Sequence, residues 1–126
     1  MPVSKLLATL IERLLLLTTE GRIEWQETAD ENSFQANVPQ YVVTISRTAG
    51  EFAVPNWVYE IRVADREGTL VDAASDSDFD GGTKIGSYPP DRALNHLFEG
   101  ARRKALNVDR ALSELISSLD SFGCSK

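Results

Sequence analysis

The sequence predicts an α+β fold: an N-terminal helix, an antiparallel meander of about five strands, and a long C-terminal helix packed on one sheet face. Three observations lead to this prediction. Both ends of the chain repeat apolar residues at spacings of three and four, which is typical of amphipathic helices. The middle alternates apolar with polar residues, which is typical of half-buried strands. The segments between these alternating runs are too short for the crossovers that parallel strands require.

The first helix is predicted over residues 3–19. Its apolar residues step by four and three along one face, at Val3, Leu7, Leu10, Leu14 and Leu17. Gly21 follows, in the position where a left-handed residue commonly ends a helix. Four further apolar residues widen the face beyond one stripe, namely Leu6, Ile11, Leu15 and Leu16. A face this wide needs cover on two sides. The sheet and another helix could supply that cover, or the second side could meet another chain.

Five strands are predicted in the middle of the chain, at about residues 23–29, 33–37, 41–48, 57–65 and 69–75. The third is the strongest, because β-branched and aromatic residues dominate YVVTISR. The segment DREG suits a tight hairpin in which Gly68 takes a positive φ. The longest connection, TAGEFAVPN at 48–56, is predicted to be a loop. The alternation implies one apolar face toward the helices and one more polar face.

The second helix is predicted over residues 90–120, beginning at Pro89 and Pro90 because proline is well tolerated in a first helical turn. Its apolar residues continue at spacings of three and four, at Leu94, Phe98, Ala101, Ala105, Val108, Leu112, Leu115 and Leu119. That unbroken spacing favours one continuous helix. The alternative is that Asn107 ends one helix and Asp109 caps the next. A continuous helix would be about 45 Å long, so one end would project beyond a small domain.

An acidic loop is predicted over residues 76–88, between the last strand and the second helix. Asp76, Asp78 and Asp80 alternate as they do in helix-loop-helix calcium sites. The resemblance stops there, because Ser87 stands where a bidentate glutamate is needed and a strand rather than a helix precedes the loop. The sequence therefore predicts a solvated loop, with calcium binding by the three aspartates as the alternative.

Composition limits the functional class. The 126 residues suit one compact domain, which we place at residues 1–126. A net charge of −6 argues against binding nucleic acid, which needs a basic surface. Lys5, Glu12 and Arg13 interrupt the first apolar run, so neither a membrane span nor a signal-peptide core is expected. A single cysteine, Cys124, forms no intrachain disulfide and favours a reducing cytoplasm.

Neither a catalytic constellation nor a cofactor motif is recognisable in the sequence, so we expect a protein that is not an enzyme. His96, the only histidine, is predicted to point away from the apolar face of the second helix. Two alternatives stay open. Trp25 and Trp57, or the polar sheet face, could bind a small ligand. Carboxylates alone could support catalysis if two of them meet in a cleft.

Two stretches resemble a family of small uncharacterised bacterial proteins and domains. They are EGRIEWQETADENSFQANVPQYVVTISR at 20–47 and ARRKALNVDRAL at 101–112, which together cover about a third of the chain. The resemblance implies a helix, an antiparallel sheet and a terminal helix, and in some members a connection to DNA-binding or other regulatory modules. It implies no catalytic residues.

The expected function is therefore that of a non-enzymatic protein-interaction or regulatory module. The wide apolar face of the first helix and the length of the second predict that the chain associates with itself, as a homo-oligomer such as a homodimer. The predicted interface residues lie on both helices and are Leu6, Ile11, Leu15, Leu16, Leu112, Leu115 and Leu119.

Overall fold

A computed structural model describes residues 5–49, 57–79 and 83–123. Three α-helices are present in these ranges, α1 (Lys5–Thr19), α2 (Pro90–Ala105) and α3 (Val108–Gly123). Five strands lie between α1 and α2, namely β1 (Trp25–Glu27), β2 (Ser33–Val38), β3 (Tyr41–Ala49), β4 (Trp57–Asp65) and β5 (Leu70–Ser75). They pair in chain order and every neighbouring pair is antiparallel. The predicted α+β class and antiparallel meander are confirmed.

The element boundaries lie close to the predicted ones, and β4 occupies its predicted span. Within the acidic segment a short 3₁₀ helix spans Asp76–Asp78, and Ile85 bridges Tyr88 across a tight turn. The predicted start of the first helix at residue 3, most of the loop at 48–56 and residues 80–82 lie outside the described residues.

One face of the sheet is apolar and carries the core. Its central row joins four strands through the pairs Phe34–Ile45, Ile45–Ile61 and Ile61–Ala74, and all of these side chains are buried. The opposite face carries mainly polar side chains at the alternating positions, as the period-two pattern predicts. The left-handed Gly68 (φ 90°) closes the β4–β5 hairpin as predicted.

Helix α2 lies at the centre of the molecule. Its buried residues are Pro90, Ala93, Leu94, Leu97, Phe98 and Ala101, and it packs on β1, β2, β3 and β4 as well as on α1. The Phe98 ring lies edge-on to the Phe34 ring, with 5.4 Å between their centroids. It is tilted relative to the Tyr59 ring, with 5.9 Å between their centroids. Such offset aromatic contacts add to the stabilisation that burial alone provides.

Helix α1 packs beside α2 and runs in the same direction. Its buried residues are Leu7, Ile11, Leu14 and Thr18. Thr18 meets Gly100 of α2, where a Cβ atom would lie only 2.9 Å from the threonine Cγ2. The Oγ1 atom of Thr18 accepts a hydrogen bond from Trp25 Nε1 at 2.9 Å, which ties α1 to β1. The left-handed Gly21 (φ 73°) ends the helix as predicted.

The preference for one continuous helix over 90–120 is wrong. Asn107 has a positive φ of 51°, its N–H donates to the Lys104 carbonyl, and its own carbonyl accepts from the Ala111 N–H. Asn107 therefore ends α2, as the alternative prediction stated, and its carbonyl accepts the first hydrogen bond of α3. Asp109 does not cap the second helix; it lies in its first turn and pairs with Arg103 across the break at 2.6 Å.

Replacing Gly100 with alanine is expected to destabilise the protein, although alanine is the better helix former by about 1 kcal/mol. The added Cβ would overlap the fixed Thr18 methyl, and overpacking of this kind costs about 1–3 kcal/mol. We expect Gly100→Ala to lower the free energy of unfolding by about 1 kcal/mol in urea titrations.

Thr18→Ser provides the matched background, because it removes the Cγ2 methyl and keeps the hydroxyl that Trp25 needs. In that background Gly100→Ala should become neutral or stabilising. An equal loss of stability in both backgrounds would show that the Thr18 contact does not determine the effect.

Candidate interaction surface

Helix α3 exposes its whole apolar face. None of its residues is buried, and five large apolar side chains retain between 48% and 76% of their accessible surface, namely Leu112, Leu115, Ile116, Leu119 and Phe122. Their spacing places them on one side of the helix. The polar side carries the Arg110–Glu114 ion pair, with a distance of 3.1 Å between Nε and Oε1. Helix α3 is thus amphipathic, with its apolar side in solvent.

The seven predicted interface residues divide into three groups by exposure. Leu112, Leu115 and Leu119 are exposed on α3, and Leu6 and Leu16 are exposed on α1; Leu15 is half-buried. Ile11 is fully buried within the core of its own chain, so its assignment to an interface is wrong. Ile11 belongs to the column of α1 that faces α2 and the sheet, and the sequence alone does not distinguish this column from its neighbours.

Sequence reasoning missed a second apolar feature, a groove of about 620 Å³ between α1 and one corner of the sheet. We call it the sheet groove. It is lined by Leu10, Arg13, Leu14 and Leu17 of α1, by Arg22, Ile23 and Glu24 after it, and by Asn37, Val38, Pro39, Tyr41, Val43, Val63 and Val71 of the sheet and its turns. The corner stays open because the helices cover the central rows of the sheet, while Val38, Tyr41 and Val71 remain exposed beyond them.

The other flank of α1 borders a more polar groove of about 560 Å³, which we call the helix groove. Leu15 and Leu16 line it from α1, and Gly100 and Arg103 line it from α2. Its far end is formed by the first residues of α3. The buried column of α1 separates the two grooves, since their lining residues fall on opposite sides of that column around the helix.

The two tryptophans do not form a common site. Trp25 is buried in the core and only 4% exposed, whereas Trp57 is 39% exposed. Trp25 pairs with Ala36 in β2, while Trp57 pairs with Ala49 at the far end of β3, so they stand about 20 Å apart along the strand direction. A shared ligand site lined by both is therefore absent.

Trp57 instead covers a partly buried cation. The Arg47 guanidinium lies 4.1 Å from the Trp57 ring centroid and 4.6 Å from that of Phe98. Its Nε donates to Asn32 Oδ1 at 3.3 Å, and its Nη1 lies 3.7 Å from Glu99 Oε1. These contacts occupy the arginine within its own chain and close one end of the core.

The acidic segment does not form a calcium loop in its described part. Asp78 Oδ2 accepts hydrogen bonds from the Ser75 N–H at 2.8 Å and from the Ser75 hydroxyl at 3.3 Å, so it caps the 3₁₀ helix. Asp80, the third predicted ligand, lies outside the described residues. Among residues 5–49, 57–79 and 83–123, no three histidine, cysteine or acidic side chains come together in a way that could hold a metal ion.

Asp76 is a partly buried carboxyl whose pKa is raised above its usual range. Partial burial raises the pKa of Asp76, the neighbouring Asp91 carboxylate raises it further, and hydrogen bonds from backbone N–H groups oppose both effects. Asp76 and Asp91 therefore lie near each other at the start of α2.

His96 is exposed, as predicted, and its ring packs on Tyr88 with 4.7 Å between the ring centroids.

The cluster at Arg102, Arg103 and Lys104 is engaged locally. Arg102 pairs with Glu99 at 3.8 Å and Arg103 with Asp109 at 2.6 Å. The Lys104 Nζ lies close to Gly21, at the C-terminal end of α1, where a cation favourably meets the helix dipole.

Comparison of the chain with protein-family models, with curated proteins and with solved structures finds no match. The bacterial family resemblance at 20–47 and 101–112 thus stays a prediction. In the part of the chain that the structure describes, no helix combines the length and the apolar character that crossing a bilayer requires.

The Asp76→Asn variant is expected to become more stable relative to the wild type as pH rises. Because the native pKa of Asp76 is raised, the native state binds more protons than the unfolded state between the two pKa values. The stabilisation that the raised pKa of Asp76 gives the wild type is therefore complete in acid and is lost as pH rises through the native pKa. The asparagine does not titrate, so the difference in unfolding free energy should shift toward Asp76→Asn as pH rises from the usual aspartate pKa of about 3.9 through the raised native pKa.

Urea unfolding at several pH values measures this difference. Asp91→Asn serves as the control, because it removes the neighbouring charge and should lower the native pKa of Asp76 as followed by carboxyl carbon NMR. A pH-independent difference between Asp76→Asn and the wild type would refute the assignment.

Proposed function

We propose that the chain is a non-enzymatic protein-interaction module that associates with itself through α3, with a homodimer as its basic form. The observation that carries this proposal is the apolar face of α3, which stays in solvent along the whole helix. An isolated helix of about 16 residues is marginal in water, because most helical stability in proteins comes from packing an amphipathic face. Helix α3 thus needs a partner surface to be stable.

The size of the exposed face supports the same proposal. The five α3 side chains leave about 400 Å² of apolar surface in water. Continuous apolar patches of this size on soluble proteins are commonly interaction sites. The exposed Leu16 and the sheet groove give the chain further apolar surface on which a copy of α3 can pack. We also place the protein in the cytoplasm, because small secreted domains usually carry several disulfides and this chain has one cysteine.

Sedimentation equilibrium at micromolar concentrations tests the proposal. The wild type should sediment as a dimer, and the double variant Leu115→Glu, Leu119→Glu should sediment as a monomer, because two carboxylates cannot be buried in an apolar interface without a large cost. Both leucines are more than half exposed, so the substitutions should leave the fold of the remaining chain intact.

Ser113→Glu with Ser117→Glu is the matched control. It introduces the same two charges at the same spacing on the polar side of α3, where both serines are exposed, and should leave the dimer intact. A wild type that stays monomeric over the whole concentration range would refute self-association.

A further inference from the structure

We infer that α3 of one copy docks in the sheet groove of a second copy, and that the two copies exchange their α3 helices reciprocally. This rests on the proposed function, because it names the surface that receives the α3 face. The receiving surface is built from α1 and the open corner of the sheet.

The helix face and the groove match in length and character. Leu112 and Leu119 are seven residues apart, and so are Leu10 and Leu17, the two half-buried leucines along the groove wall. Each pair therefore spans about 10 Å of helix. Helices that bind in apolar grooves use anchors at positions i, i+3, i+4 and i+7, and α3 carries apolar residues at all four.

The opposite side of the groove is also apolar and open. Val43 and Val63 form its floor, and Val38, Tyr41 and Val71 rise along its far wall. These three wall residues are 38%, 45% and 57% exposed, so a helix laid between them and α1 would cover surface that its own chain leaves in water.

The position of α3 favours a second copy over its own chain as the source of the groove. The first residues of α3 lie at the helix groove, on the flank of α1 that carries Leu15 and Leu16. The sheet groove lies on the opposite flank, with Leu10 and Leu17. Helix α1 thus stands between the start of α3 and the sheet groove of the same chain, whereas a second copy can present its groove directly.

One carboxylate of α3 and one cation at the rim of the sheet groove are available to pair in the docked arrangement. Of the three carboxylates of α3, Asp109 pairs with Arg103 of α2 and Glu114 pairs with Arg110, which leaves Asp120 as the acid of this helix without an ion-pair partner among the described residues. At the rim of the sheet groove Arg22 pairs with Glu20 at 3.3 Å, and Arg13 and Glu24 carry the remaining charges. Arg13 has no ion-pair partner among the described residues, so its charge is available to a docked helix.

The buried area favours reciprocal exchange over a single contact. About 400 Å² of α3 packed on a similar area of groove buries about 800 Å² in total, which is below the size of specific interfaces. Two such contacts related by a twofold axis bury about 1,600 Å², which is the standard size.

Two neighbouring residues of β5 test the inference. Val71 is 57% exposed and lines the groove, whereas Leu70 is 50% exposed and pairs with Ala64 on the other sheet face. Val71→Glu should raise the dimer dissociation constant at least about 100-fold, because the carboxylate enters both contacts. Leu70→Glu should leave it unchanged. Val38→Glu, at a second exposed groove position, should reproduce the effect of Val71→Glu if circular dichroism shows that both variants are folded.

Mixing two variants provides a second test of the inference. Val71→Glu retains an intact α3, and the Leu115→Glu, Leu119→Glu variant retains an intact groove. Each should be monomeric alone, and an equimolar mixture should form a heterodimer with one contact, weaker than the wild-type dimer. Sedimentation velocity with one variant fluorescently labelled measures this association.

The outcomes separate the two proposals. A wild-type dimer that persists in Val71→Glu and Val38→Glu would overturn the groove assignment and leave self-association through α3 in place, as in direct pairing of two α3 helices. Two monomeric variants that show no association on mixing at concentrations up to about 1 mM, where a single contact should be populated, would also overturn it. A monomeric wild type would overturn the exchange together with the proposed function.

Discussion

Burial of one face of α2 holds the other elements of this protein together. Leu94, Leu97 and Phe98 are fully buried in contact with the sheet on one side and α1 on the other, so the single helix replaces water on both surfaces. Helix α1 reaches the sheet mainly through α2. The close approach of α1 to α2 is possible because Gly100 has no Cβ atom. Packing at native density makes this arrangement sensitive to single atoms. The position of α1, and with it the sheet groove, follows from how α2 lies on the strands.

The polar groups at the margin of the core are occupied by their own chain. Trp25 donates to Thr18, Asn95 donates to the Tyr59 hydroxyl, and Arg47 is enclosed by two aromatic rings and Glu99. In the described part of the chain no buried side-chain polar atom lacks a hydrogen-bond partner. Buried polar groups of a binding pocket are commonly satisfied by the ligand instead. The exposed apolar side chains of α3 and of the sheet groove lie outside this core.

Local patterns were sufficient to predict the strands, their order and α1, because alternation and short hairpins act between neighbours in sequence. The break at Asn107 was the weaker alternative, since one residue that tolerates a positive φ competes with an apolar repeat that continues on both sides. Ile11 was misassigned because a wide apolar face does not reveal which column meets the core. The sheet groove could not be predicted, because Val38 and Val71 meet α1 only after the sheet and both helices have packed. Ile116 could have been included, since it lies beside Leu115 on the same face.

The length of α3 and its lack of buried side chains have a thermodynamic consequence. Under the proposed function, α3, a segment of 16 residues, is helical only while it is docked, and the entropy of ordering it is lost at the moment of association. Its backbone amides would then exchange with solvent rapidly in a dilute sample and slowly in a concentrated one, while those of α2 would not change. The helix content of the chain would thereby depend on how much of the protein is present, which is a property of coupled folding and binding rather than of a rigid dimer.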